Sequence, residues 1–184
     1  MKQVAGLALI GATMLAGCMD NSSGGTQAAP AVMTTRAEQV AYLVDAESVG
    51  PSSSMPTGQV SYTGAVYNST FISAYSNSDM TAGVTGKVAA AIDFGQQTLS
   101  MQLSDFNTAT AAVDGAVTIN AGFTGANPTA TGTYDNQTVD SAILSVDFGQ
   151  GATTSTPVIQ GPIDLISGGV SVFDGMFSAM QNAN

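Results

Sequence analysis

Cys18 is the only cysteine in the chain, so its sulfur has no partner for an internal disulfide. What a lone thiol does depends on its surroundings, and these are small and apolar: Leu15, Ala16 and Gly17 precede it. Histidine is absent altogether. The usual general base, and the commonest ligand for zinc, copper or haem iron, is therefore missing. Calcium, which needs only oxygen ligands, stays open on composition. The carboxylates Asp79, Asp105, Asp114, Asp135 and Asp140 could serve acid–base chemistry only if two were held across a substrate. No spacing pairs any two of them, and aspartate at strand ends is ordinary turn chemistry. The expectation is a non-enzyme with no catalytic residue, no metal site and no cofactor.

The chemistry left to Cys18 follows from what stands before it. Met1-Lys2 makes a short positive start, and residues 4–15 are an apolar run broken only by small residues and Thr13. Such a run is too short to span a bilayer and has the order of a secretion signal. Leu-Ala-Gly-Cys at its end resembles the bacterial lipobox. That resemblance implies cleavage after residue 17, diacylglycerol on the Cys18 sulfur and an acylated new amino terminus. Several acyl chains on one residue give stable anchoring, since each buried methylene contributes about 0.8 kcal/mol. The next residue is Met19 rather than Asp, which favours the outer membrane under the enteric sorting rule.

Charge narrows the partners. Thirteen acidic residues stand against three basic ones, giving a formal charge of −10. Beyond Cys18 the only cations are Arg36 and Lys87. A surface of this sign repels nucleic acid and anionic headgroups. Nucleic acid is excluded as a partner, and the membrane is reached through the lipid.

The elements that must position any site come next. Residues 19–31 are rich in Ser, Gly, Ala and Asn and read as a flexible tether of roughly 20 Å. Thr35-Arg36-Ala37-Glu38 matches a capping box, and Ala37, Val40, Ala41 and Val44 recur at helical spacing. This predicts a short helix over 36–44, with that face packed on the domain behind it. Residues 50–57 read as a linker. From residue 58 the period becomes two: Val60 and Tyr62; Val84, Val88, Ile92; Leu99, Met101, Leu103; Val113, Val117, Ile119; Ala142, Leu144, Val146, Phe148. Further strands are expected near 129–134, 158–160 and 170–179. About eight antiparallel strands can close a barrel around a side-chain core. The chain lacks Trp and is 7% aromatic, poor material for the aromatic girdles of a membrane barrel. The expected class is therefore all-β: a soluble barrel over 57–184, preceded by the signal (1–17) and a lipidated tether with a short helix (18–56).

Asp-Phe-Gly-Gln occurs at 93–96 and again at 147–150. The glycine-rich loop, lysine and His-Arg-Asp elements of a protein kinase are absent. Both copies are expected to end a strand on a buried Phe followed by a glycine turn. Asn21, Asn68 and Asn136 match the N-glycosylation pattern, a chance match in a bacterial lipoprotein. Residues 68–80 read as a long polar loop carrying Phe71, Ile72 and Tyr75. Aromatic and aliphatic side chains on such a loop suit partner contact, and these three are the candidate partner-binding residues.

Thr57-Gly58-Gln59-Val60-Ser61-Tyr62-Thr63-Gly64 resembles the opening strand of the transferrin-binding protein B β-barrel domain. The run 86–95, ending Asp-Phe-Gly, and the amphipathic 97–103 follow in that family's order. Gly161-Pro162 before Gly168-Gly169-Val170 resembles its late block, with Ile159-Gln160 where the family has Phe-Tyr. The resemblance covers about 57–179. It implies a surface lipoprotein whose barrel binds a host protein or a small solute, as in the single-barrel factor H-binding and haemophore-like relatives. The family's transferrin receptors carry two lobes and handle domains, and one barrel here does not extend to transferrin. The alternative is a structural envelope lipoprotein without a specific ligand.

Overall fold

The structure is a computed structural model that describes residues 33–45, 49–51, 55–151 and 156–182. The signal, Cys18 and the tether lie outside the described residues. Among the described residues, two helices, α1 (Arg36–Asp45) and α2 (Ser69–Tyr75), accompany twelve strands. The strands are β1 (Val49–Pro51), β2 (Gln59–Asn68), β3 (Thr85–Asp93), β4 (Thr98–Asn107), β5 (Ala112–Val113) and β6 (Gly115–Gly122). They continue as β7 (Thr129–Tyr134), β8 (Gln137–Val139), β9 (Ser141–Leu144), β10 (Asp147–Gly151), β11 (Pro157–Ser167) and β12 (Val170–Gln181).

All described pairings are antiparallel, in the order β1-β10-β11-β12-β2-β3-β4-β6-β7-β8. The sheet nearly closes because one stretch of chain serves both ends of that order. β8 pairs with β7, and β9, one residue later, pairs with β11. Asp140 between them donates its backbone N–H to the Ile166 carbonyl at 3.0 Å. With β8 and β9 taken as one bent strand, β2, β3, β4, β6, β7, β8–β9, β11 and β12 form an eight-strand wall, as the sequence pattern predicts. Tight turns set the register. Asp135 and Asn136 adopt φ 47° and 61° between β7 and β8, the left-handed pair that a two-residue type I′ hairpin needs.

Alternation decides which face is dry. Along β4, Leu99, Met101, Leu103 and Phe106 are buried, while Thr98, Ser100 and Gln102 are exposed. Their inward counterparts on the other strands, among them Tyr62, Val88, Ile119, Ile163 and Phe177, join them in one core cluster. The apolar face is thus the inner one, and it is filled with side chains. Phe106, Tyr134 and Phe173 close one end, with ring centroids 5.0, 5.3 and 5.9 Å apart. The Tyr62 hydroxyl is buried without a hydrogen-bond partner, and burial pushes its pKa up to about 12.

Four expectations change. Residues 69–75 are helix, not loop. Residues 50 and 51, expected as the start of a linker, lie in β1, which pairs with β10 and extends the sheet. Only the first Asp-Phe-Gly makes a turn: the Asp93 carboxylate accepts the Gly95 and Gln96 N–H groups at 2.9 Å. The second runs straight through β10, with Gly149 opposite Val158, because β11 supplies the pairing that replaces a turn. Finally, α1 forms over 36–45 with its capping box made. Glu38 accepts the Thr35 N–H at 2.9 Å and Thr35 Oγ1 faces the Glu38 N–H at 3.4 Å. The Thr35 N–H and hydroxyl, both donating to the Glu38 carboxylate at 2.9 Å, hold it below its ordinary pKa. The helix face against the barrel, however, is Gln39, Tyr42 and Leu43 with Arg36, while Ala37, Ala41 and Val44 are exposed and Val40 is half-buried. Tyr42 joins Met33, Ala65, Val158 and Met180 in a second apolar cluster on the outer wall, with Leu43 packed against it. Larger apolar side chains there remove more surface from water than two alanines and two valines would.

Candidate partner-binding groove

Two polar side chains pin α1 to the wall. Gln39 is fully buried. Its Nε2 donates to the carbonyls of Asp105 (2.7 Å) and Met33 (3.2 Å), and its Oε1 accepts from Thr85 Oγ1 at 2.7 Å. Arg36 donates to four carbonyls: Gly83 (2.9 Å), Asn107 (3.0 Å), Met80 (3.0 Å) and Ala82 (2.7 Å). One of the chain's few cations is thus used to hold loop carbonyls, which bonds to a charged donor do well. Burial lowers its pKa, with Asp79 acting in the opposite sense.

α2 starts because Asn68 caps it. Asn68 Oδ1 accepts the Phe71 N–H at 3.0 Å and the Val84 N–H at 2.9 Å, joining both ends of the 68–84 excursion. Gly83, at φ 73°, lets the chain pass under α2, since a Cβ there would lie 2.3 Å from the Phe71 nitrogen. Asn68 is therefore spent on structure, not on a glycan.

The three candidate residues fall out differently. Phe71 is buried, with its ring edge-on to Tyr67 at 5.9 Å and the Arg36 guanidinium 5.5 Å from its centroid. It also stacks on Tyr75 at 6.0 Å. Tyr75 is 40% exposed and Ile72 half-buried. Together with Leu43, Tyr67 and Ser76, the three line an open groove of about 160 Å³ between α1 and α2. Phe71 is its floor, and Ile72 and Tyr75 face the opening. Val44 (50% exposed) follows Leu43 in α1, and Met176 (36% exposed) pairs with Tyr67 across the sheet. Leu43, Arg36 and Gln39 are the residues the sequence pattern hides. The signal available for Arg36 and Gln39 is that two donor side chains stand three residues apart, on one side of a helix.

The aspartates do local work. Asp79 accepts from the Thr81 N–H and hydroxyl at 2.8 and 2.6 Å, which holds its carboxyl below the ordinary range. Asp140 ties the β11–β12 turn through the Gly168 N–H at 2.9 Å. Among the described residues, no three His, Cys, Asp or Glu side chains come close enough to hold a metal ion. No protein-family model, curated protein or solved structure matches the chain.

Proposed function

We infer that this chain is a lipid-anchored module of the bacterial outer membrane, exposed at the surface, that captures a protein through the α1–α2 groove. The observation that carries the reading is the groove itself: an apolar recess, rimmed by an exposed tyrosine, on a barrel whose interior is already filled. Its size points to a protein side chain as the occupant. At about 160 Å³ it is smaller than the roughly 300–1,000 Å³ of small-molecule pockets. A formal charge of −10 favours a neutral or basic partner and speeds the encounter with one. The lipobox at Cys18 supports the anchor, and the likeness of residues 57–179 to transferrin-binding protein B barrels supports a surface-binding role.

The test uses intact cells. Wild-type protein takes up a fatty-acid analogue, stays with the outer membrane and retains captured protein at the surface. Cys18→Ser protein is unlabelled and is lost from that membrane. Equal labelling of the two, or surface capture independent of Cys18, contradicts the reading.

A further inference from the structure

The two Asp-Phe-Gly segments, 54 residues apart in the chain, bring their phenylalanines together. Phe94 and Phe148 lie 5.7 Å apart, and Phe123, from the β6–β7 loop, lies 6.3 and 5.8 Å from them. All three rings are half-buried. They sit at the barrel end marked by the β3–β4 turn, away from the end closed by Phe106, Tyr134 and Phe173. Beside them, a second recess of about 340 Å³ is lined by Phe94, Phe123, Met55, Pro56, Gly58 and Gln97.

We propose that this rim is a binding site for a small, neutral molecule with a planar ring. The site is separate from the α1–α2 groove and does not rest on the function inferred for it. Three observations select the ligand. The volume lies within the small-molecule range, which the other groove does not reach. Among the described residues, no charged side chain lines the recess. Asp93, the nearest in sequence, has its carboxylate tied to the N–H groups of its own turn, and Asp147 alternates to the opposite face of its strand from Phe148. In a chain of charge −10 an anion is repelled, and a cation finds no carboxylate in the lining. What remains is ring-face contact. Aromatic rings prefer offset or edge-on neighbours 4.5–7 Å away, and Phe94 and Phe123 present such surfaces at the mouth. Met55, 58% exposed, supplies a flexible thioether wall that adapts to ring shape, and Gln97 offers an amide to a single polar substituent.

Indole is a suitable probe, because the chain has no Trp and indole emission then reports the ligand alone. Titration of the full chain is expected to give a saturable rise in indole anisotropy. Tryptamine and indole-3-acetate, which add a charge of either sign, are expected to bind at least ~5-fold more weakly. Phe123→Ala is expected to weaken indole by ~10-fold and Met55→Ala, at an exposed position outside the core, by ~3-fold, while Tyr75→Ala leaves it unchanged. The Met55 variant keeps the test decisive if Phe123→Ala fails to fold. Absence of saturation, charged analogues binding as well as indole, equal binding by Met55→Ala, or loss on Tyr75→Ala would each overturn the proposal.

Discussion

Three aromatic rings meet at each end of the barrel, yet water reaches only one of the two groups. Phe106, Tyr134 and Phe173 are buried. Phe94, Phe123 and Phe148 are half-buried, and Phe94 and Phe123 border an open recess. The spacing of the rings is alike, 5.0–5.9 Å against 5.7–6.3 Å. The difference comes from what lies beyond them. Phe106 and Phe173 alternate inward on long strands, and the α2 end is further covered by Asn68, Gly83 and the Arg36 bonds. The other trio hangs on two turns and a strand near the sheet's end. Similar rings therefore have different consequences when removed: at one end a cavity in the core, at the other a change in what the surface can bind.

Truncation separates the two ends. Phe106→Ala should cost about 3–5 kcal/mol, because the strands around it cannot collapse into the space. Phe123→Ala should cost about 1–2 kcal/mol, since its ring keeps contact with water in the folded state. Denaturant unfolding of both variants checks this, and equal costs would mean that the trios play the same part. Arg36→Met falls between them, at roughly 2 kcal/mol, by leaving four carbonyls short of a donor. Hydrogen exchange should locate that loss in residues 36–45 and 80–84, and uniform acceleration across the barrel would contradict the pinning role. The smallest effect is expected at Tyr62→Phe, which removes a buried hydroxyl without a partner. Its unfolding free energy should equal or slightly exceed that of wild type, by no more than about 1 kcal/mol. A clear fall would show that the hydroxyl has a bond the structure does not display.

The barrel was legible because its signal is local. Leu99, Met101 and Leu103 alternate with polar neighbours whatever the rest of the chain does, and 129–134 is strand in both readings. The α1–α2 groove was legible only in part. Phe71, Ile72 and Tyr75 were visible as apolar residues in a polar stretch. That they sit on a helix was not, because 69–75 has no helical stripe and its one strong cue is the Asn68 cap. The inward face of α1 was hidden for a different reason. Ala37, Val40, Ala41 and Val44 make the more regular apolar pattern, but Arg36 and Gln39 satisfy carbonyls that no alanine could. Such carbonyls lie in the loop before β3 and at the end of β4, 44 to 71 residues away, so nothing near α1 announces them. The two Asp-Phe-Gly copies teach the same lesson. One sequence makes a turn where its own aspartate caps it, and a strand where β11 pairs with it.

We propose that the rim of the α1–α2 groove serves binding while the barrel interior serves stability. An Ile72→Ala, Tyr75→Ala double variant tests it most directly, because both residues face the groove opening and neither is a core side chain. Melting temperature and capture of protein from the surrounding fluid are measured on the same preparation. The expected result is a melting temperature within a few degrees of wild type and capture reduced by at least ~10-fold. A melting temperature that falls by many degrees while capture is unchanged would contradict it.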